Sequence, residues 1–330
     1  MCSIGACNRI RPCARHNCRV NPAPYIGRFA PSPTGPLHFG SLVAAVASWL
    51  DARAAGGQWL VRMEDLDRPR CRPAAADTIL HQLEAYGLHW DGAVLVQSQR
   101  DDAYAAALEK LHAQGAAYAC ACTRRQLASP LAPAPRNAEG EIIYSGTFAK
   151  GLPAEVATRA WRVRVPDRNT RFHDRIHGEL QQNLAREVGD FIVKRADGLF
   201  AYQLAVGVDD AFQRITHVVR GADLLWNTPR QIHLHTLLGL PIPIYAHVPL
   251  ITNMAGQKLS KQTRAPALPE SGRGPMLAQA LTVLGHLPPR ELTGAGAAAL
   301  LAWARMHWHI DRVPLNPAIA NPAGTPDNPP

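Results

Sequence analysis

Apolar positions recur along the chain in two rhythms that alternate with each other. Tyr25–Phe29 is a short extended run, and Leu37–Ala55 then places Leu42, Val46, Trp49 and Leu50 at helical spacing before Gly56–Gly57 ends it. Gln58–Met63 reads as a second strand, and Pro73–Tyr86 and Asp101–Gln114 read as helices, the latter closed by Gly115. Residues 123–160 break the rhythm with Pro130, Pro133, Pro135 and Gly140, as an insertion would. Trp161–Val165 alternates as a strand does, and Phe191–Arg195 and Leu199–Val206 flank Asp197–Gly198, which predicts a hairpin. Thr216–Arg220 reads as a strand and Thr228–Leu238 as a helix capped by Gly239, with helical patterns following in Gly274–Leu287 and Ala297–His307.

Strands alternating with helices predict an α/β fold, a mostly parallel sheet covered on both faces. The expected division is a core in two halves, 25–119 and 211–312, interrupted by an inserted subdomain over about 120–210. Residues 1–24 read as a disordered extension, and 313–330, rich in Pro, Asn and Ala, as a disordered tail.

Composition narrows this picture. Hydrophobic residues make up 47% of the 330 positions, with no apolar run near the ~20 residues of a membrane span and no signal-peptide core, so a cytoplasmic location is expected. The net charge of +9 suits a polyanionic partner such as nucleic acid, and equally an ordinary solubilising surface. Seven cysteines, an odd number without a secretory signal, argue against a disulfide framework. Cys2, Cys7, Cys13 and Cys18 are spaced too widely for zinc-knuckle pairs.

The chemistry concentrates in a few strings. Arg28-Phe29-Ala30-Pro31-Ser32-Pro33-Thr34-Gly35 runs from a strand through a stiff loop into a helix that begins near Leu37-His38-Phe39-Gly40-Ser41. A helix N-terminus offers unpaired N–H groups to a phosphate; His38 adds a donor, and Gly40 permits close approach. No GxGxxG or GxxxxGK[ST] string occurs, so a dinucleotide or Walker-type site is not supported. Lys258-Leu259-Ser260-Lys261-Gln262 places two lysines three apart where they could neutralise a transferring phosphate. Taken singly, Arg28, Glu64 and Arg220 read as ordinary ion pairs at strand ends.

Together these strings resemble class I aminoacyl-tRNA synthetases. His38–Ser41 is similar to the HIGH signature and Lys258–Gln262 to the KMSKS loop, in that order and 220 positions apart; Ser41 and Gln262 depart from the last letter of each. Arg28–Gly35, Arg62–Asp67, Ala201–Val206 and Val219–Leu224 resemble the glutamyl and glutaminyl branch, and the likeness covers about residues 25–285. The resemblance implies a Rossmann-like nucleotide-binding core with an inserted acceptor-type α/β subdomain and a short helical C-terminal part. It implies ATP with Mg²⁺ as counter-ion, with His38, Gly40 and Lys261 on ATP and His38, Lys258 and Lys261 acting in catalysis. It places Arg28, Ser32, Tyr202 and Arg220 by the carboxylates of L-glutamate and Glu64 at its ammonium, with Asp65 and Asp67 structural.

Only 69 residues follow Lys261, too few for an anticodon reader. That length resembles the short paralogue family that glutamylates the queuosine base of tRNA(Asp), with a monomer favoured. The alternatives are a stand-alone core that charges a tRNA 3′ end, a small-molecule adenylyltransferase, and an inactive RNA-binding paralogue. In the related short enzymes two cysteines, a tyrosine and a cysteine four residues later hold zinc. Here Cys120, Cys122 and Tyr144 match, but Phe148 occupies the fourth place, so a metal-free or weakly bound site is expected, with Phe148 turned inward.

Overall fold

The computed structural model of the chain describes residues 24–127, 135–137, 142–144, 146–253, 256–259, 265–292 and 294–321. In chain order the first half of the core contains β1 (Ile26–Phe29), α1 (Phe39–Ala54), β2 (Gln58–Met63), α2 (Pro73–Ala85), β3 (Leu95–Val96) and α3 (Asp101–Ala113). Then come β4 (Ala117–Cys120), α4 (Arg124–Leu127), β5 (Ala160–Val163), β6 (Asn169–Asp174), β7 (Gly178–Asn183), α5 (Leu184–Glu187) and β8 (Phe191–Lys194). The remainder is α6 (Tyr202–Phe212), β9 (His217–Gly221), α7 (Thr228–Leu238), β10 (Ile244–Val248), β11 (Leu250–Thr252), α8 (Arg273–Val283), α9 (Ala297–His307) and β12 (Ala318–Ala320).

β1, β2 and β3 pair in parallel, and so do β9 and β10. Thr216, just before β9, joins the two groups: its N–H donates to the Ile26 carbonyl at 2.9 Å, and its Oγ1 accepts from the Ile26 N–H at 2.8 Å. The chain therefore runs outward from β1 to β3 on one side and resumes beside β1 with β9. In a parallel sheet of this kind the crevice for a ligand opens at that reversal, beyond the carboxyl ends of the strands. Arg28 and Arg220 sit near the carboxyl ends of β1 and β9, one on either side of it.

α1 covers this junction with Leu42, Val43, Val46 and Leu50, all fully buried. Their spacing of three and four residues is the stripe that the sequence predicts. Asp51, on the same helix, fastens the far side. Its carboxylate accepts from the Tyr25 hydroxyl, from the Arg175 guanidinium, and from the Trp308 indole N–H at 3.0 Å.

The middle of the chain forms an antiparallel sheet, β4-β5-β8, packed on α3, α6 and α7 through Tyr104, Leu111, Val163, Val193, Leu204 and Leu234. It does not stand wholly apart from the core. The β6–β7 hairpin joins the core sheet, because β6 pairs in parallel with β10 at Asp174 and Tyr245.

Two expectations are corrected. Leu199–Val206 is not extended throughout: a short hairpin forms across Asp197–Gly198, with Phe200 bridging Lys194, the Arg195 N–H donating to the Leu199 carbonyl at 2.8 Å and the Ala201 N–H to the Val193 carbonyl at 2.9 Å, but Tyr202 onward is α6. Leu204, Ala205, Asp209 and Asp210 are buried on that helix, so packing and buried charge end the second arm early. The C-terminal tail is also partly structured. β12 pairs in parallel with β11, Leu250 N–H donating to the Pro317 carbonyl and Asn321 N–H to the Thr252 carbonyl, at 2.9 and 2.8 Å. Backbone pairing needs little from side chains, which is why composition concealed it. Residues 1–23, read as an extension, and 322–330 lie outside the described residues.

Gly285 ends α8 region packing at φ +77°, and a Cβ there would fall 2.0 Å from the Arg312 carbonyl oxygen. Gly239, at φ +66°, faces open space. Gly239→Ala should cost about 1–2 kcal/mol, the left-handed backbone penalty alone. Gly285→Ala should cost clearly more, since backbone must move; urea unfolding of both variants checks the order.

Candidate active site

The residues singled out from the sequence converge. A cleft of about 800 Å³ is lined by Arg28, Ser32, His38, Gly40, Ser41, Glu64, Tyr202, Arg220 and Lys258. Five separate segments deliver them: the run from β1 through its loop into the start of α1, the residue after β2, the start of α6, the end of β9, and the stretch after β11 that carries Lys258. The Glu64 N–H donates to the Pro31 carbonyl at 3.0 Å, which holds the β1 loop against β2.

His38 caps α1, one residue before the first helical turn. The Ser41 N–H donates to His38 Nδ1 at 3.3 Å, so the neutral ring carries its proton on Nε2, which lies 3.1 Å from Ser41 Oγ. The cap thus selects the tautomer with its proton on Nε2, beside the Ser41 hydroxyl. A Cβ on Gly40 would lie 3.3 Å from the His38 ring, so the glycine makes room for the imidazole as well as for a ligand.

The loop bearing the two lysines is tied to the same place. Lys258 bridges Thr252, Ala267 bridges His38, and the Leu268 N–H donates to the Leu37 carbonyl at 2.8 Å. Lys258 pairs with Asp223, whose carboxylate occupies the space a Cβ on Gly221 would need. Lys261, with Ser260 and Gln262, lies outside the described residues.

Beneath the cleft is a buried charge cluster that sequence reasoning missed. Asp210 on α6 accepts from Arg28 Nε at 3.2 Å and from Arg62 Nη1 at 2.8 Å, and Arg62 Nη2 lies 3.3 Å from Glu64 Oε1. Burial raises the Asp210 carboxyl, but Arg62 and Arg28 outweigh it and hold the group below its ordinary value. For Glu64 burial wins over the same two arginines, with Asp210 adding repulsion, so this carboxyl titrates above the ordinary range. A cation entering the cleft would favour its ionised form. Two adjacent aspartates in the apolar segment Leu204–Phe212 were the available signal. The second, Asp209, is fully buried and accepts from Gln97, Arg100 and Tyr104 at 2.9, 2.7 and 2.7 Å.

Arg220 is held on the other wall. Its Nη2 donates to Thr228 Oγ1 at 2.9 Å and to the Leu224 carbonyl at 3.2 Å, and its Nη1 to the Tyr202 hydroxyl at 3.4 Å. Asp65 accepts from the Ser98 N–H at 2.8 Å and Asp67 pairs with Arg70, both outside the ring of residues facing the cleft centre.

The family description "tRNA synthetases class I (E and Q), catalytic domain" matches residues 26–268, a span that contains every cleft residue named above. The chain belongs to the class I glutamyl and glutaminyl tRNA synthetase family. It is 76% identical over 304 residues to the Glutamyl-Q tRNA(Asp) synthetase of Thiobacillus denitrificans, covering 92% of this chain and 100% of that one. It is 55% identical over 301 residues to the protein of that name from Dechloromonas aromatica, covering 91% and 99%. In fold it is similar to the glutamate–tRNA synthetase of Elizabethkingia anophelis, with a TM-score of 0.71 at 23% identity, spanning 90% of this chain and 68% of that one.

The zinc site implied for short members of this family is not matched by the donors present. Cys120, Cys122 and Tyr144 do meet: the tyrosine hydroxyl lies 3.4 and 3.8 Å from the two sulfurs. Phe148 packs against them, and its backbone N–H donates to the same hydroxyl at 3.1 Å. The buried Arg162 guanidinium donates through Nε to Cys120 Sγ at 3.4 Å and lies 3.8 Å above the Tyr144 ring. A fixed cation beside the thiols opposes a divalent cation, and two thiols with one phenol do not close a tetrahedral shell. Among the described residues no group of three or more His, Cys, Asp or Glu has metal-binding geometry. Protein purified without chelator or affinity metal should carry well under one zinc per chain after dialysis. Elemental analysis that finds one tightly held zinc would overturn this.

Proposed function

We infer that this chain activates L-glutamate with ATP, forming glutamyl-adenylate and pyrophosphate, and transfers the glutamyl group to the queuosine base of tRNA(Asp). The observation that carries the reading is the convergence of two buried arginines and one carboxylate beside a capped helix N-terminus. A substrate with two carboxylates and one ammonium has that charge pattern. The acceptor comes from the near-full-length likeness to the relatives named Glutamyl-Q tRNA(Asp) synthetase.

In this reading ATP enters as its magnesium complex, with its phosphates over the N-terminus of α1. Arg28 and Arg220 pair with the glutamate carboxylates, Tyr202 and Ser32 add hydroxyl contacts, and Glu64 takes the ammonium. A carboxylate oxygen attacks the α-phosphorus, and the bond to the pyrophosphate leaving group breaks. His38 Nε2–H, Lys258 and Lys261 stabilise the charge that gathers on phosphate oxygens. Lys258 must leave Asp223 to do so, and an exposed ion pair of this kind is cheap to break. The second step forms the ester bond to the RNA nucleophile and releases AMP.

Glutamate-dependent ATP–pyrophosphate exchange should proceed without RNA. Glutamine should be poorer by at least about 10²-fold in kcat/KM, because an amide leaves buried charge unpaired. Total tRNA containing queuosine should accept labelled glutamate, and tRNA lacking it should not. Absence of exchange at any glutamate concentration would refute the activation step, and equal charging of both tRNA pools would refute the acceptor.

Lys261→Ala should lower the exchange rate about 10²–10³-fold with little change in glutamate KM, since its charge acts in the transition state. A wild-type turnover number in this variant would remove the loop from the catalytic step.

A further inference from the structure

Arg220 has five N–H donors, and the protein engages four of them before any substrate arrives. Two leave Nη2 for Thr228 Oγ1 and the Leu224 carbonyl, and one leaves Nη1 for Tyr202. The fourth is Nε–H, which donates at 3.0 Å to Nε2 of His247 on β10. An imidazole accepts there only if its proton sits on the other nitrogen. It does: His247 Nδ1 lies 2.6 Å from Asp174 Oδ2, at the end of β6. The Asp174 carboxylate also accepts from the backbone N–H groups of Ile176 and His177, both at 3.0 Å, which fix its plane. Thr228 Oγ1 lies 3.3 Å from His247 Nε2, so its hydroxyl hydrogen closes the ring of bonds on the same lone pair.

Asp174 and His247 are fully buried, and Arg220 is 6% exposed. Burying three ionisable groups is costly, and apolar side chains of the same volume would serve packing as well or better. The arrangement makes sense where the outer arginine has work at the cleft. We propose that Asp174 and His247 are positioning residues for substrate recognition: they fix the roll of the Arg220 guanidinium so that its remaining Nη1 N–H, beside the Tyr202 hydroxyl, meets a substrate carboxylate. This rests on the reading of the cleft as a glutamate site.

The electrostatics agree with the geometry. Burial, aided by Arg220 and His177, outweighs the pull of Asp174 and brings His247 down to about 4. The ring is therefore neutral at working pH, and its lone pair faces Arg220 rather than a second cation. Tyr245 lies parallel to the imidazole at 6.2 Å and adds no charge at working pH, burial having raised its hydroxyl far above that range. Neither aspartate nor histidine lines the cleft, so their action on substrate passes through Arg220.

Three variants test this by exchange kinetics. His247→Leu removes the acceptor and should raise glutamate KM about 10–100-fold, the worth of one oriented charge-assisted hydrogen bond, with ATP KM and kcat within a few-fold. His247→Gln keeps an oxygen able to accept from Arg220 and should recover most of that loss. Asp174→Asn is isosteric but allows the tautomer with a proton on Nε2, aimed at the Arg220 Nε–H; it should also raise glutamate KM and narrow the preference over glutamine. If His247→Leu does not fold, the other two carry the test. A folded His247→Leu or Asp174→Asn protein with unchanged glutamate KM overturns the positioning role, as does a rise in ATP KM equal to that for glutamate. A wild-type chain whose exchange does not respond to glutamate overturns the glutamate reading, and this proposal with it.

Discussion

The structure turns on keeping positive charge buried at the carboxyl ends of two neighbouring strands. Arg28 on β1 and Arg220 on β9 are both nearly inaccessible, 3% and 6% exposed. Leaving a guanidinium in such a place without partners would cost several kcal/mol. Each is therefore balanced from behind. Asp210 reaches Arg28 from α6 and shares itself with Arg62, while Asp174 reaches Arg220 from β6 through His247. The two solutions differ in kind. One is a direct ion pair; the other places a neutral ring between the charges, so that Arg220 keeps more of its field for the cleft.

That requirement accounts for features of the fold that look unrelated. α6 has to run under the cleft because it carries both Tyr202, which faces Arg220, and Asp210, which faces Arg28, two turns apart. The β6–β7 hairpin joins the core sheet beside β10 because Asp174 must lie next to His247. The α1 side of the cleft is built with less buried charge. A histidine cap, a glycine that admits its ring, and a lysine paired at the surface with Asp223 are parts that release or rotate easily.

The inserted sheet shows a second way of handling charge. Where the short relatives would place a metal among two cysteines and a tyrosine, this chain sets Arg162 against Cys120 and the Tyr144 ring, with Phe148 closing the side. The guanidinium supplies positive charge to a thiol held below its usual range: burial raises Cys120, but Tyr144, the Cys122 backbone and Arg162 together outweigh it. The cluster is joined by packing and hydrogen bonds within the protein.

Much of this was legible along the chain. Helical and strand periods located α1, β2, α7 and α9 within a residue or two, because each has one buried stripe and a glycine or proline at its end. The strings around Arg28, His38, Glu64, Tyr202, Arg220 and Lys258 named the cleft residues, since reactive side chains at short spacing carry their chemistry in their types. What the sequence did not reveal was what stands behind them. Asp210, Arg62, His247 and Asp174 look locally like ordinary charged or polar positions in apolar segments; apart from the Arg62–Glu64 contact, their ionisable partners lie 27 to 182 positions away. The Asp197–Gly198 turn forms as its local signal predicts, but the arm after it stops at Ala201, because the helix beyond is stabilised by contacts with α3 and α7. The pairing of β12 with β11 is carried by backbone groups that every residue shares, so no side-chain pattern announces it. The sequence by itself determined which groups line the cleft; only the tertiary structure decided which buried charges balance them, because a low-dielectric interior makes that choice through distance and hydrogen-bond direction, and neither is written in order along the chain.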